Sequence, residues 1–226
     1  MLIVIPEVLT ADEVKQCRMA LLGAEWEDGR KTAGYIAADV KKNRQLPLDS
    51  HVGKELGAKL MQVLASHPQF IAAALPAKML PPRFNRYEGG QTYGNHIDNA
   101  IFNIPHTHER IRSDVSSTLF LSDPDDYEGG ELVIEDTYGS QEIKLPAGHL
   151  VVYPGTSLHR VNPVTQGMRL GSFFWTQSMV RQAHRRAMLW ELDQAIQSLA
   201  QQGGDTAELA RLSGVYHNLI REWAEI

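Results

Sequence analysis

Short stretches rich in β-branched and aromatic residues follow one another over residues 79–178, separated by clusters of turn residues. The separators include Gly129-Gly130, Pro146-Ala147-Gly148 and Asn162-Pro163. Strands repeated at such short intervals are typical of an antiparallel sandwich or barrel. We therefore predict an α+β chain with a mainly β core, and a tight reversal over residues 162–167 between two apolar strands.

Helical patterns flank this β-rich region on both sides. Thr10 and Glu13 form a capping-box pattern that predicts a helix to about Leu22, and two further helical patterns cover residues 51–64 and 70–75. One or two strands are expected among the helices of this first third. After residue 178, apolar residues recur at spacings of three and four. They predict a C-terminal helical hairpin that packs on the β core or on a second copy of the chain. Its two stripes comprise Met188, Leu189, Leu192, Ile196 and Leu199, then Leu209, Leu212, Val215, Leu219 and Trp223.

The composition indicates an ordinary globular protein. The 226 residues are 43% hydrophobic and 22% charged, and the net charge of -5 lacks the basic excess that non-specific nucleic-acid binding requires. The opening MLIVIPEVL has no basic region before its apolar run, and no stretch approaches the roughly 20 apolar residues of a membrane span. We expect a cytoplasmic protein with neither a nucleic-acid nor a membrane partner. Its single cysteine, Cys17, is predicted to be buried in a helix.

His96 and Asp98 stand two positions apart in the stretch YGNHIDNA. Side chains at this spacing project to the same side only in a strand, where they alternate with a period of two. The pair fits either two polar residues on a solvated strand face or two ligands of one metal ion. His159 ends a later strand-like stretch, and a barrel can bring it to the pair. Two histidines and one carboxylate are the ligand set of non-haem iron(II) oxygenases, and they leave three coordination positions open.

Arg169 follows His159 across the predicted turn at residues 162–167. A hairpin there would bring Arg169 back alongside the strand of His159, and alternation would place Phe173 and Trp175 on its face. An arginine among apolar neighbours needs an anionic partner. The distal carboxylate of a 2-oxo acid such as 2-oxoglutarate, chelated to the metal at its other end, is one such partner. A surface carboxylate of the protein is the alternative.

The chain contains the three stretches RYEGGQTYGNHIDNA, SSTLFLSDPDDYEGGELVIED and KLPAGHLVVYPGTSLHRVNPVTQGMRLGSFFWTQSMVR. Together they resemble the PKHD-type hydroxylases of bacteria, which are iron(II)- and 2-oxoglutarate-dependent dioxygenases related to the prolyl 4-hydroxylases. The resemblance covers nearly the whole chain and implies a double-stranded β-helix, or jelly roll. It also implies that His96, Asp98 and His159 bind the iron and that Arg169 binds the distal carboxylate of 2-oxoglutarate.

The resemblance extends to the surroundings of the co-substrate. Tyr87 and Tyr93 precede the ligand pair, where prolyl-hydroxylase-like enzymes place a tyrosine hydroxyl near 2-oxoglutarate, so both are predicted to bind it. Packing in the barrel wall is the alternative for each tyrosine. L-ascorbate is expected as an additional reductant. The expected division is an N-terminal helical flank over residues 1–77, a dioxygenase domain over 78–178 and a C-terminal helical hairpin over 179–226.

The other histidines are weaker candidates for the site. His106 and His108 form a second pair at the same spacing, but their polar, proline-interrupted surroundings predict a loop over the mouth of the site, where they could touch substrate. His149 is assigned to a turn. The remaining four fall in helical segments and are expected to be surface or packing residues: His51, His67, His184 and His217.

The leading functional hypothesis is a dioxygenase that hydroxylates a small-molecule or peptidyl substrate while 2-oxoglutarate is converted to succinate and CO2. Residues 173–175 are expected to line its site and exclude solvent. A non-catalytic sensor of iron and 2-oxoglutarate is compatible with the same ligand set. A zinc hydrolase is a third hypothesis, because two histidines and a carboxylate also bind zinc. Arg169 argues against it, since such a hydrolase has no evident need for that cation.

Overall fold

The computed structural model describes residues 1–32, 34–104, 107–136 and 139–225, without the side chains of residues 35 and 36. Six α-helices and two short 3₁₀ turns, at Gly29–Thr32 and Pro124–Asp126, lie in this part of the chain. The helices are α1 Ala11–Leu22, α2 Tyr35–Val40, α3 His51–Ser66, α4 Pro68–Ala74, α5 Ala183–Gln201 and α6 Thr206–Trp223. None of them is both long enough and apolar enough to span a bilayer.

Sixteen strands lie in the same described residues. In chain order they are β1 Ile3–Ile5, β2 Glu27–Asp28, β3 Lys41–Lys42, β4 Arg44–Gln45, β5 Pro76–Met79, β6 Arg83–Glu88, β7 Thr92–His96, β8 Ile101–Asn103, β9 Arg110–Arg112, β10 Val115–Phe120, β11 Tyr127–Gly129, β12 Leu132–Asp136, β13 Gly139–Ile143, β14 Leu150–Pro154, β15 Leu158–Val161 and β16 Val164–Ser178.

The strands form two facing antiparallel sheets and a small ribbon. The larger sheet has the order β1-β14-β10-β16-β6-β4-β2, with β5 and β11 also pairing with β16. The smaller sheet has the order β13-β12-β15-β7-β3, and β8 and β9 form a separate two-stranded sheet. Two packed antiparallel sheets with strands alternating between them form the predicted jelly roll, so the predicted fold class is confirmed.

Two apolar layers stabilise this arrangement. One lies between the sheets and contains Tyr87, Phe120, Tyr153 and Val161 among its buried residues. The other lies on the outer face of the larger sheet, where α1, α3 and α4 pack their buried leucines and Phe70 against the strands. Side chains along β16 alternate between the two layers. Leu170 and Phe174 pack in the outer layer, while Arg169 and Phe173 point to the space between the sheets. Helices therefore cover one sheet and leave the space between the sheets for a site.

The N-terminal part of the chain matches the predicted helices and exceeds the predicted strands. Thr10 caps α1 with a full capping box, in which the Glu13 side chain accepts from the Thr10 backbone N–H. Cys17 is buried on that helix, as predicted, and burial raises the pKa of its thiol. Four strands, β1 to β4, precede α3 and join both sheets. The division at residue 78 stays a prediction, because the first 77 residues share the sheets of the core.

The C-terminal hairpin consists of α5 and α6, as predicted. Asp205 caps α6 by accepting bonds from the N–H groups of Ala207 and Glu208. The predicted apolar stripes are only partly buried, since Met188 and Val215 are 54% and 51% exposed. Leu189 alone of the stripe residues is fully buried, and it packs with Leu75, Val180 and a set of half-buried neighbours: Met179, Tyr216, Leu219, Ile220 and Trp223.

The predicted reversal over residues 162–167 is wrong. Val164–Ser178 is one continuous strand, and β15 and β16 lie in different sheets, so the chain passes from one sheet to the other at Asn162-Pro163. Arg169 therefore does not lie beside the strand of His159. Gly167 serves the close approach of β11 instead: its φ is +70°, and a Cβ there would lie 2.1 Å from the carbonyl oxygen of Asp126.

Candidate active site

Two histidines meet in the smaller sheet, on neighbouring antiparallel strands. His96 at the end of β7 lies directly opposite His159 in β15. Both side chains point between the sheets and are buried, and their ring centroids are 4.2 Å apart. Opposed residues of an antiparallel pair project from the same face of the sheet, so this register brings the two rings together.

Backbone carbonyls fix the tautomer of both rings. His96 Nδ1 lies 2.8 Å from the carbonyl oxygen of Gly94, and His159 Nδ1 lies 3.0 Å from that of Ser157. A carbonyl oxygen only accepts, so each Nδ1 donates and each Nε2 keeps a free lone pair. Burial, together with the neighbouring His159, lowers the pKa of His96 to about 4. His96 is therefore a neutral imidazole at neutral pH, the form that binds a metal ion.

Asp98 faces both free imidazole nitrogens. Its Oδ1 lies 3.9 Å from His96 Nε2, and its Oδ2 lies 3.8 Å from His159 Nε2. Ser116 in β10 of the larger sheet donates a 2.6 Å hydrogen bond to Asp98 Oδ2, which holds the carboxylate in place across the sandwich. One donor atom from each of the three residues lies within 4.8 Å of the other two. This donor set fits one divalent ion with open coordination positions.

Two tyrosines hold the histidine rings from the sides. Tyr93 stacks on His96 with ring centroids 3.6 Å apart and an interplanar angle of 15°. Tyr153 contacts His159 edge-on at 5.2 Å. Burial is the main cause that raises the pKa of both phenols, so both stay neutral at physiological pH. The rings limit rotation of the imidazoles, which keeps their nitrogens directed to one point.

Arg169 lies in the inner layer, opposite Tyr87 of β6. It is 1% exposed, and its three guanidinium nitrogens are buried without a hydrogen bond of good geometry to any described residue. Its guanidinium carbon lies 5.4 Å from the Tyr87 ring centroid and 5.1 Å from that of Phe120. Gly171 leaves room beside it, because a Cβ there would lie 3.3 Å from Arg169 Nη1. A buried cation between aromatic rings requires an anion.

A cavity of about 750 Å³, measured to its open mouth, lies between the sheets at these residues. Tyr87, Tyr93 and all three members of the His-Asp-His cluster line it, while Arg169 lies behind Tyr87 and does not. Phe173 and Trp175 face the cavity from β16. Phe174 borders it too, although its ring packs edge-on against Phe70 in the outer layer.

Sequence comparisons place this geometry in a family. A relative from Parvibaculum lavamentivorans, a PKHD-type hydroxylase, is 59% identical over 99% of this chain and 99% of its own. The chain belongs to the PKHD-type hydroxylase family. The profile of the 2OG-Fe(II) oxygenase superfamily matches residues 82–177 of the hydroxylase, and that of the PKHD-type hydroxylase C-terminal domain matches residues 184–225. The protein is thus an enzyme of this superfamily.

Solved structures of the same fold are more distant in sequence from the hydroxylase. A prolyl hydroxylase of Trichoplax adhaerens, in complex with a hypoxia inducible factor peptide, superposes with a TM-score of 0.56 at 17% identity, covering 78% of this chain and 83% of the other. A prolyl-4-hydroxylase of Pseudomonas putida gives a TM-score of 0.53 at 22% identity, covering 78% and 92%. At these identities the likeness concerns the jelly-roll fold alone.

Several residues of the cavity escaped the sequence analysis. Arg83 and Asn85 are two of them; they share one face of β6 with the predicted Tyr87, and the alternation in RFNRYE was the signal that could have found them. Ser116 stands in VSSTLF, where nothing local marks it as the partner of Asp98. Lys41 lies in a two-residue strand, so its position in the cavity had no sequence signal of its own.

The remaining histidines lie apart from the cluster. His149 follows the turn at Ala147-Gly148, as predicted. His108 is exposed between β8 and β9, in agreement with the predicted loop, and His106 lies outside the described residues. His184 and His217 are exposed on α5 and α6, His51 begins α3, and His67 caps α4.

Proposed function

We propose that this hydroxylase binds iron(II) through His96, Asp98 and His159, binds 2-oxoglutarate through Arg169, and hydroxylates a small-molecule or peptidyl substrate with release of succinate and CO2. The observation that carries the proposal is the convergence of two Nε2 lone pairs and one carboxylate on a single point of the cavity. Family membership supports iron over zinc, and hydroxylation over hydrolysis.

Each ligand residue would contribute a distinct property. The two imidazoles would offer their Nε2 atoms to the metal because their Nδ1 atoms donate to backbone carbonyls, and Asp98 adds the negative charge that favours a divalent cation. Bound iron(II) would supply the redox chemistry by which dioxygen oxidises 2-oxoglutarate and a C–H bond of the substrate. The chain's own part is to bind, to orient and to keep water out.

Arg169 is the residue that fits the distal carboxylate of 2-oxoglutarate. Its guanidinium can form two parallel charge-assisted bonds with a carboxylate, and it lacks any other anionic partner among the described residues. Tyr87 lies between Arg169 and the cavity, and Asn85 Nδ2 donates to its hydroxyl oxygen at 3.4 Å, which leaves the phenol O–H free to donate to the co-substrate. The Tyr93 ring is engaged with His96, so we assign it to orienting that ligand as well as to the cavity wall.

The apolar walls of the cavity would exclude water during the reaction. Phe173 and Trp175 pack edge-on with ring centroids 5.5 Å apart, and Phe102 of the β8-β9 ribbon stacks on Trp175 at 4.1 Å. This aromatic surface keeps reactive species away from solvent. The use of L-ascorbate as reductant and a cytoplasmic location stay predictions.

The proposal is tested by loading the protein with iron(II) and following succinate release and substrate mass together. We expect 2-oxoglutarate-dependent succinate release that matches, mole for mole, the gain of one oxygen by a substrate from a panel of amino acids, peptides and small acids. Asp98→Ala is the control that should give neither product. Wild-type protein that fails to bind 2-oxoglutarate would contradict the proposal, and binding with slow uncoupled turnover on every compound would favour the sensor.

A further inference from the structure

A second basic site lies in the same cavity, apart from Arg169. Lys41 comes from edge strand β3 and is 4% exposed. Its Nζ donates to Thr32 Oγ1 at 3.1 Å and to Gln45 Oε1 at 3.0 Å, both of them neutral partners. It forms no ion pair with a described carboxylate, and Asp98 and Asp28 act on it only at longer range. A buried ammonium with neutral partners retains one N–H and a full charge for a ligand.

Arg83 adds a second cation from the other sheet. It lies in β6 opposite Phe173, and its guanidinium carbon is 5.4 Å from the Trp175 ring centroid. No hydrogen bond or ion pair engages its guanidinium within the described residues. Burial lowers the pKa of Arg83, and burial followed by the charge of Arg83 lowers the pKa of Lys41 to about 8. Two half-desolvated cations that repel each other are stabilised by an anion placed between them.

Lys41 and Arg83 differ from Arg169 in their access to the cavity, because both line it and Arg169 does not. Arg169 is opposite Tyr87 on β6, whereas Arg83 is four residues earlier on that strand and on the same face. At roughly 3.3 Å per residue, about 13 Å separates the two backbone positions. Asn85 lies between them on that face, with its Oδ1 buried and unbonded among the described residues. Because Arg83 acts on Lys41 and Arg169 is not among the charges that do, we assign the anion at Lys41 and Arg83 to a different group from the one at Arg169.

We propose that Lys41 and Arg83 bind the carboxylate of the hydroxylated substrate, a small organic acid whose apolar part lies against Phe173 and Trp175. The inference rests on the proposed function and specifies its substrate class. A free acid is favoured over an acidic side chain of a peptide, because Lys41 is almost fully enclosed and Phe102 covers the aromatic wall beside it. Recognition by two cations and two aromatic rings requires a compound with one charged and one apolar end.

The test uses a panel of benzoate, phenylacetate and hexanoate, each paired with its primary amide, and a blocked Gly-Glu-Gly tripeptide. Binding is measured by calorimetry on the iron(II)-loaded protein with saturating 2-oxoglutarate and without dioxygen. We expect at least one carboxylate to bind, its amide to bind about tenfold more weakly or worse, and the tripeptide to bind more weakly than the free acid. Lys41→Met and Arg83→Met should each weaken the acid about tenfold and leave the amide unchanged.

Lys42→Met is the matched control for Lys41→Met, because Lys42 is the exposed neighbour on the same strand. The affinity for 2-oxoglutarate should stay unchanged in all three variants, which also shows that the site is folded. If Lys41→Met does not fold, Arg83→Met decides alone. The proposal is overturned if no carboxylate binds, if acid and amide bind equally, if the tripeptide binds best, or if the two variants lose 2-oxoglutarate instead. Failure of wild-type protein to bind 2-oxoglutarate would separately remove the proposed function.

Discussion

Arg169 is the residue whose surroundings most need a ligand, since its charge is buried with no anion among the described residues. Replacement by lysine keeps the charge and loses the two-pronged geometry, and replacement by leucine loses both. We expect affinity for 2-oxoglutarate to fall in the order arginine, lysine, leucine, with about tenfold to hundredfold lost for each charge-assisted bond removed. Calorimetric titration of the three metal-loaded proteins measures it, with metal affinity as the control that should not move. Equal affinities would show that Arg169 does not bind the co-substrate.

Ser116 is expected to act on the proposed metal site through Asp98. Its hydroxyl donates the 2.6 Å bond that orients the carboxylate, and loss of such an outer partner typically costs about 10-fold to 100-fold in metal affinity. Ser116→Ala should weaken manganese(II) binding by this amount while thermal unfolding stays cooperative. Ser117→Ala is the matched control, because Ser117 is the next residue and its buried Oγ has no hydrogen bond to the described residues. Equal effects of the two changes would rule out an orienting role for Ser116.

Lys41 is expected to lower the stability of the unliganded protein. Its pKa is about 8 in the folded state against about 10.4 in an unfolded chain. Below pH 8 Lys41 is charged in both the folded and the unfolded chain, and the folded chain carries the full cost of burying that charge. Between pH 8 and 10.4 Lys41 is neutral in the folded chain and still charged in the unfolded one, so the free energy of unfolding rises with pH. Lys41→Met should therefore be more stable than wild type at pH 7, by up to roughly 3 kcal/mol. Urea unfolding at pH 7, 9 and 10.5 should show that the difference in unfolding free energy between Lys41→Met and wild type decreases as the pH rises. A difference independent of pH would contradict the lowered pKa of Lys41.

Arg186 joins the C-terminal hairpin to the jelly roll at the scale of whole elements. It is buried at the start of α5 and donates to the carbonyl oxygens of Val180, Arg181 and Asp114. Arg186→Met leaves these carbonyls without their donor, so we expect unfolding free energy to fall by about 2–4 kcal/mol. The control is Arg185→Met, because the Arg185 side chain lies over the Trp223 ring and makes no hydrogen bond to the described residues of the β core. If denaturant unfolding gives the same loss of unfolding free energy for both variants, Arg186 does not join the hairpin to the jelly roll.

The elements were predictable where the signal was local. Thr10 and Glu13 marked the start of α1. The spacing of two in YGNHIDNA correctly paired His96 with Asp98 in one cluster, but β7 ends at His96 and Asp98 lies two residues beyond it, so the two do not share a strand face. The reversal at Gly167 was wrong because turn residues report that the chain bends and not which sheet it enters next. Gly167 itself is explained by the close approach of β11, a contact between segments distant along the chain. Local chemistry thus predicted the type of most elements; it missed α2 and at least two of the strands β1 to β4, and it failed on one connection.

At the scale of the whole molecule, the metal and 2-oxoglutarate should stabilise the fold, because they bind the folded chain and not the unfolded one. Each ligand at 100 times its dissociation constant adds about 2.7 kcal/mol. Melting by calorimetry should show two successive increases in Tm, first with manganese(II) and then with 2-oxoglutarate, both reversed by a chelator. Arg169→Leu should keep the first increase and lose the second. A single increase that needs neither Asp98 nor Arg169 would point to binding elsewhere.

The complete cavity is a property of the whole molecule, and only part of it was predictable from the sequence. The three residues of the His-Asp-His cluster and Arg169 could be recognised from their spacing along the chain. Lys41 and Ser116 did not, because each gains its role from a partner on another segment: Gln45 and Thr32 for Lys41, and Asp98 for Ser116. Such pairings depend on the register of two facing sheets. A single sequence contains no direct record of that register.

Strand β16 has a further consequence for how this enzyme can diverge. Its 15 residues run without interruption from the crossing at Pro163 to the base of the C-terminal hairpin; Phe173 and Trp175 face the cavity, and Leu170 packs in the outer layer. Adding or deleting one residue between Arg169 and Trp175 would reverse the faces of the residues on one side of the change, so that Arg169 and Trp175 could no longer both point to the inside. Substitutions can change this wall one side chain at a time, whereas a change of length reorients a whole run of side chains. We therefore expect differences in substrate range along β16 to arise by substitution, with insertions found in the loops at its ends.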